Sequence, residues 1–129
     1  MQRKIENVYM ANESVIKLFE GKQVRIVWDE EQEKYYFSVV DVAEVLTDSL
    51  NPTDYLKKLR KRDLELGTYL GTNCPQVAMK TSTGKMRITL AADLQGIFRI
   101  IQSIPSKKAE PVKQWLAQLG EYYGSRIAS

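Results

Sequence analysis

Residues 35–62 read YYFSVVDVAEVLTDSLNPTDYLKKLRKR, and the reading of this stretch decides the fold. It opens on an aromatic, strand-forming run and then changes period. Ser38 followed three residues later by Asp41 fits a capping box, in which a hydroxyl takes up a free backbone donor at a helix start. Val42, Val45 and Leu46 recur at helical spacing and predict a helix of about two turns ending near Thr47–Asp48. Asn51–Pro52 then restarts a helix, with asparagine as N-cap and proline at the first helical position, where its missing N–H costs nothing. In that second helix Tyr55, Leu56 and Leu59 form the inner stripe. Lys57, Lys58, Arg60, Lys61 and Arg62 are left for the outer surface, concentrated where the helix dipole favours cations. Two short helices across a tight turn predict a helix-turn-helix-like pair.

Working outward, the preceding segment from Val15 is rich in β-branched and aromatic residues and breaks at Glu20–Lys22 and at Asp29–Lys34. It predicts three short antiparallel strands with one buried face, carried by Ile16, Leu18, Val24, Ile26 and Trp28. Downstream, Gln76–Thr81 and Lys85–Leu90 flank Ser82-Thr83-Gly84 and predict a β-hairpin. Its expected faces are Val77 and Met79 with Met86, Ile88 and Leu90, against Ala78 and Lys80 with Lys85, Arg87 and Thr89. Leu94, Ile97, Phe98, Ile101 and Ile104 then predict a helix that breaks at Ser103–Ser106. A last helix carries Val112, Trp115, Leu116 and Leu119, with Gly120 as its left-handed stop. Trp28, Tyr55 and Trp115 fall on apolar stripes and are expected in the core. The expected fold class is α+β, a small antiparallel sheet and a β-hairpin with about four helices.

Composition bounds what such a domain does. The 129 residues are 43% hydrophobic and 27% charged, the balance of an ordinary globular domain able to build its own core. The absence of histidine removes the usual general base, the histidine-containing dyads and triads, and every histidine zinc site. The single cysteine, Cys74, forms no intramolecular disulfide. It sits before Pro75 in a Gly/Thr/Asn-rich stretch read as a loop, and is taken as incidental rather than reactive. No apolar stretch has signal-peptide or membrane-span length, so a cytoplasmic setting is expected. Glu20-x-Lys22 echoes half of a metal-dependent nuclease site but falls on a turn. The acidic run Asp29, Glu30, Glu31 and Glu33 lacks the ligand alternation and glycine of a calcium loop. No catalytic residue, metal or cofactor is expected, and the chain is read as non-enzymatic.

The net charge of +3 conceals a cancellation. Residues 28–48 carry seven acidic side chains and one basic, whereas residues 49–129 carry thirteen basic and six acidic. A basic helix after a short helix and turn lays positive charge along phosphates, and Lys80, Lys85 and Arg87 of the hairpin extend the candidate surface. Double-stranded DNA is the expected partner of such a surface, the alternative on charge alone being an ordinary solvated helix face.

The order of these motifs resembles a known family. YYFSVVDVAEVLTDSLNPTDYLKKLRKRD, with its aromatic strand, DVA-type helix, proline-containing turn and basic helix, is similar to the N-terminal domain of the BRO family, found in large DNA viruses, phage antirepressors and bacterial proteins such as DNA-damage-inducible protein D. KMRITLAADLQGIFRIIQSIPSKKAEPVKQWLAQLG resembles the family's second half, where a hairpin leads to a helix, a Ser/Pro break and a tryptophan-bearing helix. The resemblance implies an α+β DNA-binding module of a transcription regulator or antirepressor over residues 15–120, with 1–14 as an N-terminal extension and 121–129 as a tail or linker start. It carries DNA binding onto Lys57, Lys58, Arg60, Lys61 and Arg62, and more weakly onto Lys80, Lys85 and Arg87. EYYGSRIAS departs from the family pattern. The alternative reading is a module that binds a repressor without touching DNA, and homodimer formation stays open.

Overall fold

A computed structural model describes residues 14–128, with side chains through Leu119; the expected extension lies outside them but for Ser14. Five strands, β1 (Ser14–Phe19), β2 (Lys22–Asp29), β3 (Lys34–Ser38), β4 (Gln76–Lys80) and β5 (Met86–Ala92), make one antiparallel sheet in the order β1-β2-β3-β5-β4. Five helices accompany it among the described residues: α1 (Val39–Thr47), α2 (Pro52–Arg62), α3 (Leu64–Asn73), α4 (Leu94–Ser103) and α5 (Ala109–Ala128). The fold is α+β, as expected, with one helix more than the sequence pattern indicated.

The β1–β2 turn is Glu20–Gly21, both at positive φ (50° and 84°), the two-residue geometry whose twist matches its flanking strands. It pairs Phe19 with Lys22 and Ile16 with Arg25, and so sets which side chains share a face. Val24 and Ile26 of β2 point to the helices together with Phe19 of β1 and Phe37 of β3. Ile16 and Leu18 fall on the other face, contrary to the expected alternation, and Leu18 stays 60% exposed. That second face is not simply solvated. The sheet curls until the Lys80 N–H donates to Ser14 Oγ at 2.8 Å, and Met79 packs into a small second core with Val27, Tyr36 and Ala91.

The main core lies between the sheet and the helices. Val42, Val45 and Leu46 of α1, Leu59 of α2, Ile97, Ile100 and Ile101 of α4, and Val112 and Leu116 of α5 fill it. Trp28 is buried, donating its indole N–H to Glu30 Oε1 at 2.9 Å, and Trp115 meets Phe19 edge-on at 5.6 Å between centroids. Gly120 does not end α5, which runs on to Ala128.

Helix α3 is the element the pattern hid. Gly67, Thr68, Gly71, Thr72 and Asn73 are poor helix formers. Asp63 caps it, accepting from the Leu66 N–H at 3.0 Å, and Leu66 and Leu70 are fully buried. Packing overrides propensity here because glycine permits a close crossing: a Cβ on Gly67 would stand 2.9 Å from the carbonyl oxygen of Arg60 in α2.

The start of α1 is tied to the sheet by a polar junction. Ser38 Oγ accepts from the Asp41 N–H at 3.4 Å, as the capping-box reading requires. The Asp41 carboxylate, however, turns to Arg25. Its Oδ2 accepts from the Arg25 backbone N–H at 2.9 Å and from Nε at 2.8 Å, while Oδ1 accepts from Nη2 at 3.0 Å. The β2–β3 ladder stops at Ile26–Phe37, so Asp41 supplies the acceptor that the strand no longer provides. The hydrogen bond from Asp41 raises the guanidinium pKa further above its already high ordinary value.

Replacing Asp41 by alanine strands a largely buried guanidinium and a backbone donor, a loss of about 3 kcal/mol, measurable as a lowered urea midpoint. Gly67→Ala is expected to lower the melting temperature even though alanine gains about 1 kcal/mol in helix propensity, because overpacking against backbone costs about 1–3 kcal/mol.

Candidate nucleic-acid interface

Helix α2 begins as the sequence reading expects. Asn51 Oδ1 accepts from the Asp54 N–H at 3.1 Å and Pro52 occupies the first turn. Leu56 and Leu59 are buried, Tyr55 is half-buried, and Lys57, Lys58, Lys61 and Arg62 stand on the exposed side. Lys58 is partly neutralised by Asp54 one turn earlier, at 3.0 Å. Lys57, Lys61 and Arg62 have no ion-pair partner among the described residues.

Arg60 differs from its four neighbours. It is half-buried, close to the glycine face of α3, with Nη2 3.9 Å from the Cβ position of Gly71. Together with Lys57 it forms the basic wall of a cleft of about 280 Å³ whose other walls include Leu70 of α3 and Ile88 and Leu90 of β5. The structure therefore divides the basic cluster: Lys58, Lys61 and Arg62 face solvent, Arg60 turns into the cleft, and the exposed Lys57 stands at the cleft's edge.

The hairpin exists, but its faces are interchanged relative to the expectation. Gly84, at φ 88°, closes a three-residue turn in which its N–H donates to the Thr81 carbonyl, while Thr81 N–H donates to the Lys85 carbonyl. An odd-length turn pairs even with even: Lys80 opposes Met86, Ala78 opposes Ile88, and Met79 opposes Arg87. Lys80 thus shares a face with Met86 and Ile88, whereas Arg87 lies on the face of Met79 and Lys85 flanks the turn opposite Thr81. Lys80, Lys85 and Arg87 are all exposed. The three hairpin cations surround its free end rather than forming a single stripe with α2.

The turn Glu20–Lys22 is used structurally. Lys108 bridges Glu20 at 3.6 Å and Asp48 at 2.9 Å, and Lys22 reaches Asp48 at 3.5 Å. These pairs hold the Asp48 carboxyl below its usual range, the Lys108 hydrogen bond being the main cause. In the acidic turn Asp29 accepts from the backbone N–H groups of Glu31 and Gln32, an ordinary Asx-type turn. No helix among the described residues is long and apolar enough to cross a membrane.

Cys74 caps α3 in extended conformation and, with Pro75, makes the short connection to β4, whereas the Gly/Thr/Asn-rich stretch before it is helix rather than loop. Burial, aided by the nearby Asp93 charge, pushes its thiol up to about 11. At pH 8 the native thiol is expected to alkylate far more slowly with iodoacetamide than in the urea-unfolded chain. The unfolded thiol ionises first, from about pH 8.5, so its contribution to stability is complete below that pH. It is lost as pH rises towards the native value.

A family model described as BRO family, N-terminal domain, matches residues 23–122, which spans the sheet from β2, the basic helix, the hairpin and the first part of α5. No curated protein and no solved structure matches the chain.

Proposed function

The chain belongs to the BRO family through its N-terminal domain, and from that premise we propose that it is the DNA-binding domain of a phage- or mobile-element-type transcription regulator or antirepressor. The reading is of a non-catalytic cytoplasmic module that holds duplex DNA through fixed positive charge. The single observation that carries it is the exposed set Lys57, Lys61 and Arg62 on one short helix, uncompensated by described carboxylates, with Lys58 beside it.

Side chains of this kind contact phosphates and displace condensed counterions, so affinity falls steeply with salt. They fit a positioning role better than base reading. In a helix-turn-helix the amino-terminal residues of the second helix meet the bases. Here that end carries Asp54, and the cations occupy the later turns.

Fluorescence anisotropy with a random duplex at low salt tests the proposal. Neutralising Lys57, Lys58, Lys61 and Arg62 together is expected to weaken binding about a hundredfold or more and to reduce the log–log salt slope by about three to four. Absence of binding by the wild type, or an unchanged slope in the variant, would defeat the reading. Capture of a repressor protein without DNA affinity would then favour the alternative. Light scattering of the bound complex reports whether one copy or two occupy the duplex.

A further inference from the structure

We propose that the outward face of the β4–β5 hairpin, formed by Gln76, Lys80, Met86 and Ile88, reads base edges in the DNA major groove while α2 holds the phosphates. The inference rests on the DNA-binding reading and assigns a second element to it.

The hairpin has only one face to offer. Val77 and Met79 turn inward against Val27 and Tyr36, and Thr89 is buried against Ser38. The opposite face is covered only at its Leu90 end, which packs against the main core, and lies open from there towards the turn. On that face Met86 is 55% and Ile88 68% exposed, and Gln76 and Lys80 are exposed beside them. Two large apolar side chains left in water on a strongly cationic hairpin call for a partner. The surrounding Lys80, Lys85 and Arg87, with Lys57 and Arg60 across the cleft, specify a polyanion. None of these five is ion-paired among the described residues.

The shape selects the groove. A two-stranded ribbon fits a major groove about 12 Å wide but not a minor groove about 6 Å wide. Met86 and Ile88 project from the ribbon's face, not from its polar tip Ser82-Thr83-Gly84, so they meet base edges rather than wedge between base steps. The side-chain set matches the chemistry of that groove. A glutamine amide pairs with adenine N6 and N7, an ammonium with guanine O6 and N7, and apolar side chains with the thymine 5-methyl group. Helix α2 offers no such mixture on its exposed side.

The thymine methyl provides the test. Binding sites are selected from a random duplex pool by the wild type and by the Met86→Ser, Ile88→Ser double variant. The wild-type site is then remade with deoxyuridine replacing thymidine at single positions. The wild type is expected to lose about fourfold in affinity per contacted methyl removed. The double variant is expected to be indifferent to the same replacements, to select a relaxed site, and to keep the wild-type salt slope and melting temperature. The inference is overturned if the wild-type site tolerates every deoxyuridine, or if the variant selects the same site with the same sensitivity. Failure of the wild type to bind any duplex at low salt would instead remove the underlying reading, and this inference with it. Should the double variant not fold, Met86→Ser and Ile88→Ser are compared singly in the same deoxyuridine series, and unchanged sensitivity in both overturns the inference.

Discussion

Four polar side chains from four separate elements meet where the sheet gives way to helices. Arg25 of β2 donates to Asp41 and, at 3.2 Å, to Ser38 Oγ; Ser38 caps α1; and Ser38 Oγ lies 3.4 Å from Thr89 Oγ1 of β5. Ser38 is fully buried and Thr89 nearly so. Apolar packing is tolerant of direction, but this junction is not, because each donor and acceptor is placed by the others. It fixes the point at which the chain leaves the sheet, hence the direction of α1, and through the Asp48 turn the position of α2. The basic helix is therefore oriented by an arginine that is remote from it in sequence and takes no part in its charge.

Much of this architecture is legible in the residues, and what was missed has definable causes. The Ser38 and Asn51 caps, the proline start of α2 and the glycine turns are local signals, since the groups involved lie within three or four residues of one another. Helix α3 carried no such signal: its glycines argue against a helix until α2 is placed against them. The role of Arg25 was likewise invisible, because a lone arginine in a strand reads as a solvated residue and its partner lies 16 positions away. The hairpin faces went wrong by parity alone. The turn Ser82-Thr83-Gly84 was placed correctly, but three residues between the strands set even positions opposite even ones, and the expected faces paired odd with even.

The candidate site divides along the same line. Exposure of Lys57, Lys58, Lys61 and Arg62 follows from helical periodicity, so the sequence reaches it unaided. The turning of Arg60 into the cleft, and the grouping of Lys80 with Met86 and Ile88, depend on tertiary contacts and strand register. Ile88 and Met86 stood out only as strand residues. Their exposure becomes informative once the register places both on the face opposite Met79, beyond the reach of the main core.

The contact between Ser38 and Thr89 has a mechanical meaning as well. It joins the cap of the first helix directly to the strand that carries the hairpin, so the helical arm and the β-ribbon do not move as independent limbs. A long partner laid across both meets a caliper of set opening. For the duplex proposed above, a fixed opening of this kind would mean that little conformational entropy is spent on binding.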